Sequence, residues 1–113
     1  MATIEKPWGK EDILETNPNY TVKRLTMWKN KRCSLQYHNF KCETIVVVSG
    51  VLRITLRDSS NNLVANNYHP GEYVTLKPGV VHRMEGVEDC VYFEASTSEL
   101  DDVVRLEDDY NRA

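Results

Sequence analysis

The sequence predicts an all-β domain, a sandwich or jelly roll, on three observations. Short β-type runs recur at intervals of about eight to twelve residues, clusters of Gly, Pro, Asn and Asp separate them, and helical periodicity is nearly absent. The 113 residues suit a single domain, 1–113, with one core.

The strands are expected as follows. From Thr21 to Trp28, Thr21, Lys23, Leu25 and Met27 alternate with Val22, Arg24, Thr26 and Trp28, so one side can be buried. Cys33 to His38 is the next strand. Glu43 to Val48 runs through Ser49-Gly50 into Val51 to Arg57, which predicts a hairpin bent at glycine. In its second arm Leu52, Ile54 and Leu56 share one side. Asp58 to Asn62 is a turn cluster. Leu63 to Ala65, Tyr73 to Leu76, Val81 to Met84 and Val91 to Ala95 complete the set, punctuated by Asn66-Asn67, Pro70-Gly71 and Pro78-Gly79. From Ser98 the tail predicts one short helix, with Ser98 as N-cap and acids in the first turn.

Composition excludes several classes. Hydrophobic residues at 41% and charged residues at 27% are globular values and argue against disorder. The net charge of −3 is uneven: residues 99–113 hold six carboxylates against Arg105 and Arg112, while the preceding residues are nearly balanced. Neither part clusters basic residues on one face, so no nucleic-acid partner is expected. The N-terminus lacks the apolar stretch of a signal peptide, and the aliphatic run Ile45 to Val48 is too short to span a bilayer. Cys33, Cys42 and Cys90 are odd in number and lack CxxC spacing. They read as small hydrophobes in a reducing cytoplasm, not as a disulfide framework.

The chemistry lies in Gln36-Tyr37-His38, Glu43, Gly50 and Pro78-Gly79-Val80-Val81-His82. Strand alternation points Gln36 and His38 the same way. Glu43 can enter the same interior from the next strand, and the Pro78-Gly79 turn launches His82 from elsewhere in the sheet. Two imidazoles, a carboxylate and an amide oxygen form a ligand set for Zn²⁺, Fe²⁺, Mn²⁺ or Ni²⁺. The competing reading, two ordinary histidines and a solvated strand end, accounts for neither the same-face spacing nor the two glycine turns. His69, beside Pro70, reads as an exposed turn residue.

These motifs resemble those of the cupin superfamily. His38, Glu43 and Gly50 match its first motif, with Gln36 where most cupins have a histidine; Gly71, Pro78-Gly79 and His82 match the second. More specifically, the chain resembles the cupin domain of type II mannose-6-phosphate isomerases and the small stand-alone proteins related to them. The similarity is carried by Lys6-Pro7-Trp8-Gly9, Ser34 to His38, Val48-Ser49-Gly50, Pro78 to Glu85 and Asp101 to Tyr110. It implies a cupin jelly roll, a bound divalent metal, a phosphorylated-sugar substrate and a homodimer. The sequence departs from that pattern at Asn39-Phe40-Lys41, where isomerase-type cupins often continue with histidines and an arginine; Lys41 keeps the charge. Room for the nucleotidyltransferase domain of larger bifunctional relatives is not expected.

The implied activity is aldose–ketose isomerisation of mannose 6-phosphate. Two alternatives stand beside it: a non-catalytic sugar or nucleotide-sugar binding module, and an iron-dependent oxygenase-type cupin. A phosphate would need a cationic clamp, for which Arg105, Arg112 and Lys41 are the candidates. For Arg105 the competing reading is an ion pair with Asp101, Asp102 or Asp109. The base is not identified: Glu43 is expected to be a ligand, which leaves Glu94 or a hydroxide on the metal, unranked. Strand alternation turns Arg83 away from the metal, and Trp8, Tyr20, Trp28, Tyr73 and Tyr92 are expected to pack.

Overall fold

Two antiparallel sheets share one core in the computed structural model, which describes residues 2–113. Among the described residues the strands are β1 (Ala2–Lys6), β2 (Gly9–Thr16), β3 (Thr21–Met27), β4 (Leu35–Tyr37), β5 (Glu43–Ser49), β6 (Leu52–Arg57), β7 (Leu63–Tyr68), β8 (Tyr73–Leu76), β9 (His82–Gly86), β10 (Cys90–Ser96) and β11 (Val104–Glu107). The first sheet runs β1-β2-β3-β10-β5-β8 and the second β11-β4-β9-β6-β7. The all-β jelly roll expected from the strand rhythm is the observed fold.

Alternation decides what faces inward. Leu25 and Met27 on β3, Ile45 and Val47 on β5, Leu52 and Ile54 on β6 and Tyr92 on β10 are buried and meet between the sheets. Trp8, Leu76, Met84 and Cys90 complete the core. Thr21 and Lys23 lie on the same inner side of β3, so a lysine occupies a position that a uniform core would give to an apolar residue.

The structure corrects four expectations, the first being that Tyr20, Trp28 and Tyr73, expected to pack, are exposed. Gly50 does not bend a hairpin: β5 pairs with β10 and β8, whereas β6 pairs with β7 and β9. The chain crosses there from one sheet to the other, so Ile45 and Val47 face Leu52 and Ile54 across the core instead of lying beside them. The crossing needs glycine. Its φ is 75°, and a Cβ would stand 2.2 Å from the Asp89 carbonyl oxygen. Both edges of β5 are thus occupied, by β10 and β8, and β6 lies in the other sheet.

The tail forms no helix. Ser98 Oγ donates to the Asn17 carbonyl at 2.6 Å, and Val104–Glu107 becomes β11 on the open edge of β4. β-Branched Val103 and Val104 and a free ladder outweigh the weak helix signal of the acids. Finally, β1 and β2 were not anticipated. Their sequences are rich in charge, and apolar alternation is the signal by which strands are found.

Candidate metal centre and its cavity

The two ligand motifs meet at the end of the sandwich interior where β4, β5 and β9 converge. Gly79 N donates to the His38 carbonyl at 2.7 Å, so the glycine turn of the second motif is tied to the end of the first. His82 opens β9 opposite Gln36 of β4, and Glu43 opens β5. His38, Glu43 and His82 are all buried, and one donor atom from each lies within 4.8 Å of the others.

Hydrogen bonding fixes how the imidazoles point. His38 Nδ1 stands 2.5 Å from the Asp102 carbonyl oxygen, and His82 Nδ1 stands 3.0 Å from that of Val80. A carbonyl only accepts, so each Nδ1 carries the proton and each Nε2 turns its lone pair inward. Both Nε2 atoms lie 3.4 Å from the same oxygen of Glu43, Oε1. The ring centroids are 5.1 Å apart.

Three buried atoms therefore lack a hydrogen-bond partner, Nε2 of His38, Nε2 of His82 and Oε1 of Glu43, while Glu43 Oε2 faces the Lys41 ammonium at 3.3 Å. With neutral imidazoles they are all acceptors, an arrangement that is costly unless a cation or a proton sits among them. Donors bound about 2.0–2.2 Å from one Zn²⁺ sit roughly 3.4 Å apart at tetrahedral angles, which is the spacing of each Nε2 from Glu43 Oε1. The residues fit a divalent ion. Gln36, the fourth expected ligand, is on the cavity wall at the ladder position facing His82, and its Oε1 accepts from Ser34 Oγ at 2.5 Å.

Electrostatics separates the two rings. Burial opposes a charge on His38, but the Glu43 carboxylate and the Asp102 carbonyl outweigh it and raise its pKa. For His82 burial wins and the pKa is lowered. Glu43 is held well below the carboxylate range: its contacts with His38 and the charge of Lys41 overcome desolvation.

From Glu43 a chain of alternating charges leads along the inner face of the first sheet. Lys41 Nζ lies 3.3 Å from Glu43 Oε2 and 3.2 Å from Glu94 Oε2. Lys23 Nζ is 4.0 Å from Glu94 and 2.9 Å from Glu11, which reaches Lys6 at 3.9 Å. Burial and the Glu43 charge push Glu94 up to about 7, although Lys41 and Lys23 pull the other way. Lys41, Glu94, Lys23, Glu11 and Lys6 line a cavity of about 120 Å³ together with Trp8, Leu25, Met84 and Tyr92.

The expected clamp residues all line this cavity, in different states. Lys41 is buried between two carboxylates. Arg112 is occupied by a bidentate pair with Asp108, at 2.9 and 3.0 Å, and lies over the Tyr110 ring. Arg105 is paired with none of the acids weighed against it. Asp109 binds Arg32, and the Asp102 carboxylate is taken by backbone amides. Arg105 Nε is buried without a partner. Arg83 points away as expected, donating to the Cys33 and Glu107 carbonyls. His69 is exposed beside Glu72, and the cysteines are unpaired.

Lys23, Glu11 and Asp102 were missed by sequence reasoning. A lysine on the apolar side of β3 was the available signal for Lys23. Nothing local marks Asp102, whose role depends on a contact across 64 residues.

Among the described residues no helix is long and apolar enough to cross a membrane. A jelly roll with two histidines and a carboxylate converging at one end of its interior is the architecture of a cupin. The chain belongs to the family of mannose-6-phosphate isomerase C-terminal domains, whose family model matches residues 1–108. It is 32% identical over 114 residues to the mannose-1-phosphate guanylyltransferase ManC of Salmonella typhimurium, covering 96% of this chain and 23% of that protein. The Escherichia coli K12 mannose-1-phosphate guanylyltransferase gives the same identity and coverage. The alginate biosynthesis protein AlgA of Pseudomonas aeruginosa is 31% identical, again over 96% and 23%. The chain thus spans about a quarter of the length of these relatives.

Among solved structures, the capsular polysaccharide assembling protein CapF from Staphylococcus aureus superposes with a TM-score of 0.82 at 21% identity, over 94% of this chain and 34% of that one. The oxalate decarboxylase of Lactobacillus farciminis gives 0.78 at 15% identity, over 94% and 33%. These likenesses speak for the fold.

Proposed function

We propose that the chain is a metal-dependent cupin acting on a phosphorylated sugar, with aldose–ketose isomerisation of mannose 6-phosphate as its reaction. The observation that carries this reading is the set of three buried, unpartnered acceptor atoms on His38, Glu43 and His82, with His38 at the wall of a cavity that also holds the unpaired guanidinium of Arg105. Family membership supports the sugar-phosphate class.

His38, Glu43 and His82, with Gln36 as a fourth, would hold the ion. When bound, it supplies a positive charge that stabilises the oxygens of an enediolate. Arg105 binds the phosphate, its planar fork matching two oxygens. Lys41 and Arg112 shape the same wall while held by their acids.

Isomerisation moves one proton from C2 to C1 and a second from O2 to O1, and needs no oxidant. Glu94 is the group to carry it, because its carboxyl lines the cavity and burial places its pKa close to neutrality. Its Oε takes the C2 proton and returns it to C1, and Lys41 at 3.2 Å steadies the carboxylate before the first event and after the second.

Solvent deuterium incorporation at C2 of mannose 6-phosphate tests this. Metal-loaded protein should exchange C2, and Glu94→Gln should lose exchange while keeping the metal. A folded, metal-replete protein that binds the sugar phosphate without exchange would instead be a binding module.

A further inference from the structure

We propose that Asp102 is a positioning residue for the metal centre, holding the His38 ring with its backbone carbonyl and the turn after His38 with its carboxylate. The inference rests on reading His38, Glu43 and His82 as ligands. Between His38 and the start of β5 at Glu43 the chain turns through Asn39, Phe40 and Lys41. Packing does not fix the tip of that turn, since Phe40 is 74% exposed although Lys41 after it is buried. Asp102 does: its Oδ1 accepts from Asn39 N at 3.0 Å, and its Oδ2 accepts from Phe40 N at 2.7 Å and Lys41 N at 2.9 Å. The carbonyl of the same residue accepts from His38 Nδ1 at 2.5 Å.

These four bonds form one clamp. An imidazole has two tautomers and can rotate about its Cβ–Cγ bond. A carbonyl on Nδ1 keeps the proton there and leaves the Nε2 lone pair facing Glu43. The carbonyl can do this only from a fixed position, and the three amide bonds to the side chain of the same residue supply it. Removing the carboxylate therefore reaches the ring indirectly. The segment that carries Asp102 continues into β11, so the residue also ties the strand bearing Arg105 to the ligand turn.

The test compares wild type, Asp102→Ala and Asp109→Ala. Asp109 lies on the same tail and holds Arg32 in an exposed pair, so it controls for general loosening of the tail. Affinity is read by Co²⁺ titration of the metal-free full chain, and the His38 tautomer by ¹⁵N ring NMR. Asp102→Ala should weaken Co²⁺ binding about 10- to 100-fold and lose the exclusive Nδ1–H form of His38. Asp109→Ala should leave both within about twofold of wild type, well short of the 10-fold loss expected at a contact that orients a ligand. Unchanged Co²⁺ affinity in Asp102→Ala, or an equal loss in both variants, overturns the proposal. If wild type binds no Co²⁺, the ligand reading fails by itself. The tautomer then decides the clamp, and an unaltered His38 Nδ1–H in Asp102→Ala overturns it.

Discussion

Lys41 Nζ and Glu94 Oε2 lie 3.2 Å apart with each residue only 5% exposed, a salt bridge inside the sandwich. Removing one partner of such a pair leaves the other charge buried and costs about 3–5 kcal/mol, whereas removing both costs far less. Lys41→Met and Glu94→Gln should therefore each destabilise strongly in urea unfolding. The double variant should lose much less than the two losses added together. Strict additivity would mean that Lys23 and Glu43 absorb each charge independently.

A metal that binds only the folded state raises stability with its concentration, by about 4 kcal/mol at a thousandfold excess over Kd. Chelation should thus lower Tm, and Zn²⁺, Mn²⁺, Ni²⁺ or Fe²⁺ should restore it in order of affinity. His82→Ala should abolish the response without unfolding the chain. Calorimetry with and without chelator checks this, and a Tm indifferent to both would remove the metal from the centre.

Much of the molecule was legible in the order of its residues, for identifiable reasons. Ile45, Val47, Leu52 and Ile54 announce their inner faces by strict alternation, and Gly50 and Gly79 mark places where the backbone must turn. The convergence of His38, Glu43 and His82 was legible because residue type and same-face spacing are local properties. Partner choice is not local. A glycine bend serves a hairpin and a sheet crossing equally well, so the crossing at Gly50 depends on the distant strands β10 and β8 that pair with β5. The tail misled for the same reason. Its acids favour a helix in isolation, but Asp102 and Val104 find their partners on the turn after His38 and on β4. The charged strand faces around the cavity stayed hidden because the apolar signal is weakest where a site replaces a core.

Asp108 illustrates how the tail is held. Its contacts with Arg112 overcome a small desolvation cost and lower its pKa from 3.8 to about 2. A carboxylate depressed in the folded state contributes its stability above the unfolded pKa and loses it as pH falls through the folded one. The contribution should be complete above about pH 5 and fade towards pH 2, where both states bind the proton. Solvent screening limits it to about 1 kcal/mol. Wild type and Asp108→Asn should accordingly differ in urea stability at pH 6 and converge near pH 2. A gap that persists at pH 2 would assign the loss to packing of the Arg112 stem.

Arg105 and Arg112 line the same cavity, but only Arg105 is free of a carboxylate among the described residues. An anion entering the cavity gains a charge-assisted hydrogen bond from Arg105 without breaking an existing one, worth about 1.5–3 kcal/mol. At Arg112 it must compete with Asp108. Arg105→Ala should therefore raise KM for a phosphorylated sugar about 10- to 100-fold, in line with that energy. Arg112→Ala should raise it far less and lower Tm instead. Neither should change the metal content, because neither side chain touches the ligand atoms. Arg105→Lys tests the geometry: a point charge restores attraction but not the two-pronged contact, so its KM should fall between those of wild type and the alanine variant. Equal KM in wild type and Arg105→Ala would leave the buried Nε unexplained and move the phosphate to the Lys6 end of the cavity, where the ion pair with Glu11 is longest at 3.9 Å.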